Sequence, residues 1–402
     1  MMTMTYSIPG KTRRKIRALY RGLGKYGVAL ALFITVYLIF TSPLAPILSN
    51  LQLRSFFKFR GPVVSNSDIV VIAIDQKSFA DENLSSLKTW PRALLAEVLE
   101  NIKSVGVRIA VIDLLLDPNS SFPDADPLLE KAVKSFPTTL AVLKYSESSV
   151  STDGSRNTSR YIREPNPVFS AAAKFLPLMM VRADSDQIVR RFYLESGIPP
   201  LAEVSAWLLG VNKHPIPTPD DLINFYGPQG SFPTIPIYQL LNKNITPQLA
   251  ASLRNKIAVL GHYRKMQSDS LSEDQHLTVF GKTFGVEIHA TVLANLLEQN
   301  WIHRIPRNLD FLITSILTII VCFFSIGRGP LWGSLMVIFS ALALGIVSYA
   351  TFLYGQFFNC SIYLLIVVPL LVIGILTYHY VTTMRAFKKI ESALGISLKP
   401  PS

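Results

Sequence analysis

The chain has 402 residues, 49% of them hydrophobic and 16% charged, with two cysteines and a formal net charge of +12. So few cysteines exclude a disulfide-built scaffold. The cations gather beside apolar runs rather than along one face, which argues against nucleic acid as the partner despite the net charge.

Residues 1–26 carry seven cations, Lys11, Arg13, Arg14, Lys15, Arg17, Arg21 and Lys25, with no acid among residues 11–25. This reads as a basic cytoplasmic segment. Residues 27–48 are uncharged and apolar, matching the ~20 residues a bilayer core requires. They are longer than the apolar core of a cleaved signal peptide, so an uncleaved signal anchor is expected. The stretch 51–62 (LQLRSFFKFRGP) mixes aromatic and basic side chains, as an interfacial segment would.

Residues 49–308 read as an α/β domain with a mainly parallel sheet, displayed outside the membrane. Ile69 to Ile74 is a continuous apolar, β-branched run, the pattern of a strand buried on both faces. It ends at Asp75. Thr89-Trp90-Pro91-Arg92 opens a helix with apolar residues at three-and-four spacing, Thr89 being the expected cap, and Gly106 closes it. Arg108 to Leu114 gives a second strand that ends at Asp113. Further helices are expected at 126–135, 171–174, 200–210 and 285–300, and further strands at 139–144, 178–182, 188–194, 221–228 and 256–261. Two polar stretches, 147–160 and 262–279, read as loops.

Three apolar runs follow, at 309–326, 331–354 and 357–381, the last two without Asp, Glu, Lys or Arg. Asp310 stands at the start of the first, so that run spans only with the carboxylate at the interface. A basic tail, 382–402, comes last. Cations on short loops then fall on one side of the bilayer, giving four spans with both termini cytoplasmic and the domain outside.

No phosphate-binding loop, nucleophile elbow or zinc-protease motif is present, so candidate site residues are isolated ones. Asp75 and Asp113 each end a buried strand, where ligands bind in open α/β sheets. Arg92 at a helix start and His289 on the last helix of the domain complete a small-ligand reading. Were their strands neighbours, Asp75 and Asp113 would face one crevice, and Arg92 would pair with one of them. The same residues equally form an internal ion-pair network. Glu287 and His289 are two apart on a helix, so only one can face that crevice. His262, His276 and His289 with Asp269 lack the spacing of a compact metal site. No cofactor and no metal is expected.

Several stretches, in order, resemble the CHASE2 extracytoplasmic sensory family of bacterial receptors. They are IVVIAIDQKS (69–78), TWPR (89–92), GVRIAVIDLLL (106–116), RADSDQIVRRF (182–192), INFYGPQGSFPTIP (223–236), KIAVLG (256–261) and GVEIHATVLANLL (285–297). The four-span layout fits as well. HYRK after Gly261 departs from the family, which more often has small residues there. Members usually continue into a cyclase or kinase, whereas this sequence runs about twenty residues past its last apolar run. The resemblance implies a sensor or adaptor in the bacterial plasma membrane, not an enzyme. It would bind an unknown small ligand and signal through the helix carrying Glu287, Leu293 and Leu297 to a separate kinase, cyclase or other effector. By analogy it would be a homodimer. A structural subunit of an envelope complex and, behind it, an envelope hydrolase using Asp75 and Asp113 are the alternatives.

Overall fold

The computed structural model describes residues 27, 29–81, 90–116, 123–140, 142–150, 156–173, 175–192, 198–211, 215–241, 245–264, 274–326 and 328–394. The basic N-terminal segment, the Thr89 cap, Asp269 and the end of the tail lie outside them. The chain divides into two compact units, Phe57–His303 and a second made of Met1–Phe56 with Arg304–Ser402.

The second unit starts with two helices, α1 (Ala29–Thr41) and α2 (Leu44–Arg60), bent by 80° at their junction. The run expected to form one span therefore breaks at Ser42-Pro43. Proline has no N–H to continue the ladder and its ring crowds the preceding turn. Phe57 to Arg60, the end of α2, already belongs to the other unit.

In the Phe57–His303 unit, β1 (Ile69–Ile74) leads through α3 (Gln76–Asp81) and α4 (Arg92–Ser104) to β2 (Ile109–Asp113). Then come α5 (Asp126–Ser135), β3 (Thr138–Leu140), the hairpin β4 (Leu143–Val150) and β5 (Arg156–Arg163), α6 (Pro167–Ala172), β6 (Ile188–Val189), α7 (Leu201–Leu208), β7 (Thr234–Pro236), α8 (Pro247–Leu253), β8 (Ile257–His262), β9 (Gln275–Thr278), β10 (Gly281–Phe284) and α9 (Gly285–Glu298). The main sheet has the order β3-β2-β8-β1-β7 and is parallel throughout. Every residue of β1 and β2 is buried, because helices cover both faces. Val70, Ile72, Ile74, Ala110, Ile112, Ala258 and Leu260 form one core with Leu95, Leu99 and Ile102 of α4 and Leu129 and Val133 of α5. Against the opposite face, α7 and α9 pack together and onto the central strands. Gly106, with φ +87°, ends α4 as expected.

Several local expectations are corrected. Within the stretch 147–160, residues 147–150 and 156–160 belong to the paired strands β4 and β5, in register from Leu143↔Arg163 to Val150↔Arg156; the polar composition concealed a long ladder, and residues 151–155 lie outside the described residues. Of the expected strands at 178–182 and 221–228, only isolated bridges form, two at Leu178 and two at Leu222. Of the strand expected at 188–194, residues 188–189 form β6 while 190–192 do not continue it, and 193–194 lie outside the described residues. Part of the presumed polar loop 262–279 is β9, which pairs antiparallel with β10 and parallel with β6.

Helices α10 (Arg307–Ser325) and α11 (Pro330–Leu353) follow, then a π-helical turn at Tyr363–Val367 that runs into α12 (Val368–Leu394). Among the described residues three helices are long and apolar enough to cross a membrane, or four if the bent pair is one span. Their exposed faces carry Leu335, Ile338, Phe339, Leu342 and Ile346, while Thr314, Thr318, Ser325 and Ser348 are buried inside. A bundle that is apolar outside and hydroxyl-bearing inside suits lipid, not water.

Candidate functional site

The carboxyl ends of β2 and β8 meet the first turns of α9. Asp113, the last residue of β2, lies in register with Gly261 of β8. His289, one turn into α9, places Nε2 3.6 Å from Asp113 Oδ1, and the two side chains keep only 8% and 4% of their surface. Asp274 stands just before β9. Its main-chain oxygen accepts the Gly285 N–H at 2.9 Å, and its carboxylate faces the same N–H. A Cβ on residue 285 would collide with Asp274 Oδ1. Glycine opens α9 because the carboxylate takes a side chain's place at the helix start, where unpaired N–H groups favour an acid. His276, on β9, sits with Nε2 3.9 Å from Asp274 Oδ1. Asp113 and Asp274 sense each other's charge, as do His276 and His289.

Burial sets the protonation of this cluster. It pushes Asp113 up to about 7 and His289 down to about 4. Asp274 is raised by burial and by the charge of Asp113, against the pull of the Gly285 N–H. His276 is lowered by burial and by His289. Near neutral pH both imidazoles are therefore uncharged, and the 3.6 Å approach of His289 to Asp113 is a contact between polar groups rather than an ion pair.

The linkage has a definite sign. A carboxyl that keeps its proton in the fold loses stability as pH rises from its unfolded value toward its folded one. A histidine depressed in the fold does the reverse, losing stability as pH falls below its unfolded value near 6.5. From pH 4 to 6.5 the two effects oppose. From pH 6.5 to 8 only the carboxyls titrate, joined by Glu287, which burial raises to about 7. The melting temperature of the solubilised protein is expected to fall across that upper window, at up to about 1.4 kcal/mol per pH unit for each proton retained. Asp113→Asn should make the fall shallower; an unchanged slope would contradict this assignment.

Of the four ligand candidates, the structure brings Asp113 and His289 together. Asp75 lies apart, because β8 is inserted between β1 and β2. Two strand spacings, about 10 Å, separate the two strand ends. Asp75 Oδ1 instead accepts from Ser78 N (2.8 Å) and Ser78 Oγ (2.6 Å) and caps α3. Arg92 pairs with Asp126, not with either strand-end acid, and lies over the Phe169 ring. Glu287 points elsewhere than His289 and accepts from Gly230 N (2.7 Å). Leu293 is fully buried and Leu297 half-buried. Sequence reasoning missed Asp274 altogether and weighed His276 only as a metal ligand. Their Asp-x-His spacing just ahead of a helix-opening glycine was the available signal.

Beside the cluster, His289, Ile288 and Val292 of α9 line a cavity of about 30 Å3 with Val189, Phe192 and Arg191, room for about one water. A wider cavity of about 330 Å3 shares Arg182, Arg191 and Phe192 and adds Asp184 and Pro219. Its wall is the 184–191 turn. Buried Arg190 holds both carboxylate oxygens of Asp186 at 2.7 Å and reaches Asp184 at 3.2 Å. This clamp holds the Asp186 carboxyl below its usual range. Arg190 is thus committed internally; Arg182 and Arg191 also line the cavity, Arg191 pairing with Asp184 at 3.3 Å. Among the described residues no group of three or more His, Cys, Asp or Glu is arranged to hold a metal ion.

The family model for the CHASE2 domain matches residues 29–327. The chain belongs to the CHASE2 domain family. CHASE2 domains are extracytoplasmic sensory modules, and the match covers the whole α/β unit together with α1, α2 and α10. Neither the curated proteins nor the solved structures searched contained a match. This CHASE2 protein is therefore a membrane protein of a sensory family, with a mainly parallel five-stranded sheet and three C-terminal apolar helices.

Helix α9 is pinned along its length within the CHASE2 unit. Asn295 accepts from Asn224 N (2.8 Å) and donates to Asn224 O (3.1 Å). Glu298 accepts from Ser67 N (2.8 Å) and from the Tyr226 hydroxyl (2.9 Å). The helix stops at Glu298, Gln299 turning left-handed at φ 52°. It is thus not continuous with α10, which begins at Arg307.

Proposed function

We propose that this CHASE2 protein is a membrane-bound sensor or adaptor of the bacterial plasma membrane. Its α/β unit faces the envelope, detects a small ligand or envelope condition, and signals through the membrane helices to a separate effector such as a kinase or cyclase. The observation that carries this reading is the Asp113–Asp274–His276–His289 cluster beneath the first turns of α9. A ligand that changes the cluster's charge or hydrogen bonding acts on a helix whose chain runs on into a membrane span. It shifts the molecule between states only by binding them unequally. In this reading both termini are cytoplasmic, the site binds rather than catalyses, and the protein acts as a homodimer. The basic segments flanking the apolar runs support that orientation.

The first test is in-cell photocrosslinking from α10–α12, followed by identification of trapped membrane and cytoplasmic proteins. Recovery of one effector is expected; crosslinks to lipid alone would sink the adaptor role. The second is a thermal-shift screen of the detergent-solubilised full chain, repeated with Asp113→Asn. A shift from one metabolite class that Asp113→Asn abolishes is expected. Silence across the library would favour the competing reading, a structural subunit of an envelope complex. That reading draws on Asp75 and Arg92, both engaged in purely internal bonds.

A further inference from the structure

The membrane unit holds a carboxylate that the sensory reading leaves unused. Asp310 lies in the first turn of α10, where a carboxylate at the lipid–water interface is expected, and its side chain is wholly enclosed by protein. Its Oδ1 accepts the Asn359 N–H at 3.3 Å, while Oδ2 has no hydrogen-bond partner. One turn on, the Thr314 hydroxyl is fully buried and also unpartnered, and further along α10 the buried hydroxyls of Ser315 and Ser325 share that condition.

The surrounding polar groups are already committed. Gln52 donates to Ser348 Oγ and Phe358 O, both at 2.9 Å, and accepts from Cys360 N at 3.0 Å. Asn359 Oδ1 accepts from Ser361 N (3.2 Å) and Ser361 Oγ (2.6 Å). Arg304 is the cation whose charge reaches Asp310, and its guanidinium donates to Ser49 Oγ at 3.3 Å. The Cys360 thiol lies within reach of the Asp310 charge as well.

An ionisable group buried inside a membrane bundle is costly and is retained where it binds or conducts something. A buried oxygen with no donor, one helical turn from the idle hydroxyl of Thr314, asks for a positive partner. We propose that Asp310, with Thr314 beside it, is a binding site for a small monovalent cation within the bundle. Proton and sodium ion offer the same chemistry here: each neutralises Oδ2, and a sodium ion would additionally use the Thr314 oxygen. Occupancy would stabilise the packing of α10 against the Asn359 turn, so the membrane unit would respond to ion conditions independently of the cluster under α9.

A hydrophobic carbodiimide, which reacts with protonated carboxyls in apolar surroundings, tests this on the full chain in native membranes. In sodium-free choline buffer at mildly acidic pH, peptide mapping should find an adduct on Asp310 that is lost in Asp310→Asn. Sodium chloride slowing the reaction identifies a sodium site. Slowing by raised pH alone, with sodium inert, identifies a proton site. No adduct at Asp310, while another carboxyl in the same membranes reacts, would overturn the proposal: the carboxylate would then be a permanently ionised structural group held by Arg304 and the helix N-terminus.

Discussion

Arg92→Ala should cost about 3–5 kcal/mol of stability, the usual penalty for breaking a buried ion pair from one side. Arg92 is 5% exposed. Its guanidinium pairs with Asp126 and lies 4.9 Å from the centre of the Phe169 ring. Asp126 also accepts from Asn166 Nδ2 at 3.0 Å, so the one cation joins the start of α4 to α5 and to the approach to α6. Truncation strands the Asp126 carboxylate in a site built for a pair. At about 2–4 °C per kcal/mol for a unit of this size, the melting temperature should drop by roughly 10 °C. Arg92→Met with Asp126→Asn removes both charges and should recover part of the loss. A single variant that melts like wild type would show that the pair contributes nothing net, and that Arg92 is free for another role.

Gly261→Val is expected to cost roughly 3 kcal/mol, at the upper end for overpacking. Already a Cβ at 261 would lie 2.9 Å from Val286 Cβ and 3.2 Å from Asp113 Cβ. Neither atom is the far end of a flexible chain, so β8 and α9 must move apart. The site cluster lies at that junction. The variant should therefore also show a shallower decline in stability between pH 6.5 and 8, since a loosened junction hydrates Asp113 and relaxes its raised pKa. Val286→Ala in the Gly261→Ala background removes the Cγ2 contact at 3.0 Å but keeps the Cβ contact at 2.9 Å, so it should restore only part of the milder loss. Full stability and an intact pH profile in Gly261→Val would mean that the close approach of strand and helix is not what holds the cluster together.

Much of the α/β unit was legible residue by residue. The buried runs at 69–74, 109–113 and 257–261 announced themselves as strands, because four to six apolar, largely β-branched residues in succession suit a strand covered on both faces. The amphipathic spacing of Leu95, Leu99 and Ile102 announced α4 equally well. The candidate site was legible by half. Asp113 and His289 were singled out from their places at a strand end and on a helix, and they do meet. Asp75 and Arg92 were chosen by the same reasoning and lie elsewhere, because a local pattern says what an element is and not which element lies beside it. The β4–β5 hairpin was missed because polar residues hide a ladder that main-chain bonds alone can sustain. Hydropathy put Asp310 at the start of a span, but it cannot see that the Asn359 N–H meets its carboxylate and that the side chain is fully buried.

By itself the sequence determined where the chain turns apolar, which strands are central, and which residues have the chemistry to matter; burial and periodicity are properties of short stretches and can be read from them. Only the tertiary structure decided that β8 enters between β1 and β2, that Asp274 and His276 join Asp113 and His289, and that the first apolar helix bends by 80° at Ser42-Pro43. The place of β8 and the meeting of Asp113 with His289 are set by contacts between residues more than a hundred positions apart, and no local pattern encodes the free energy that chooses among them.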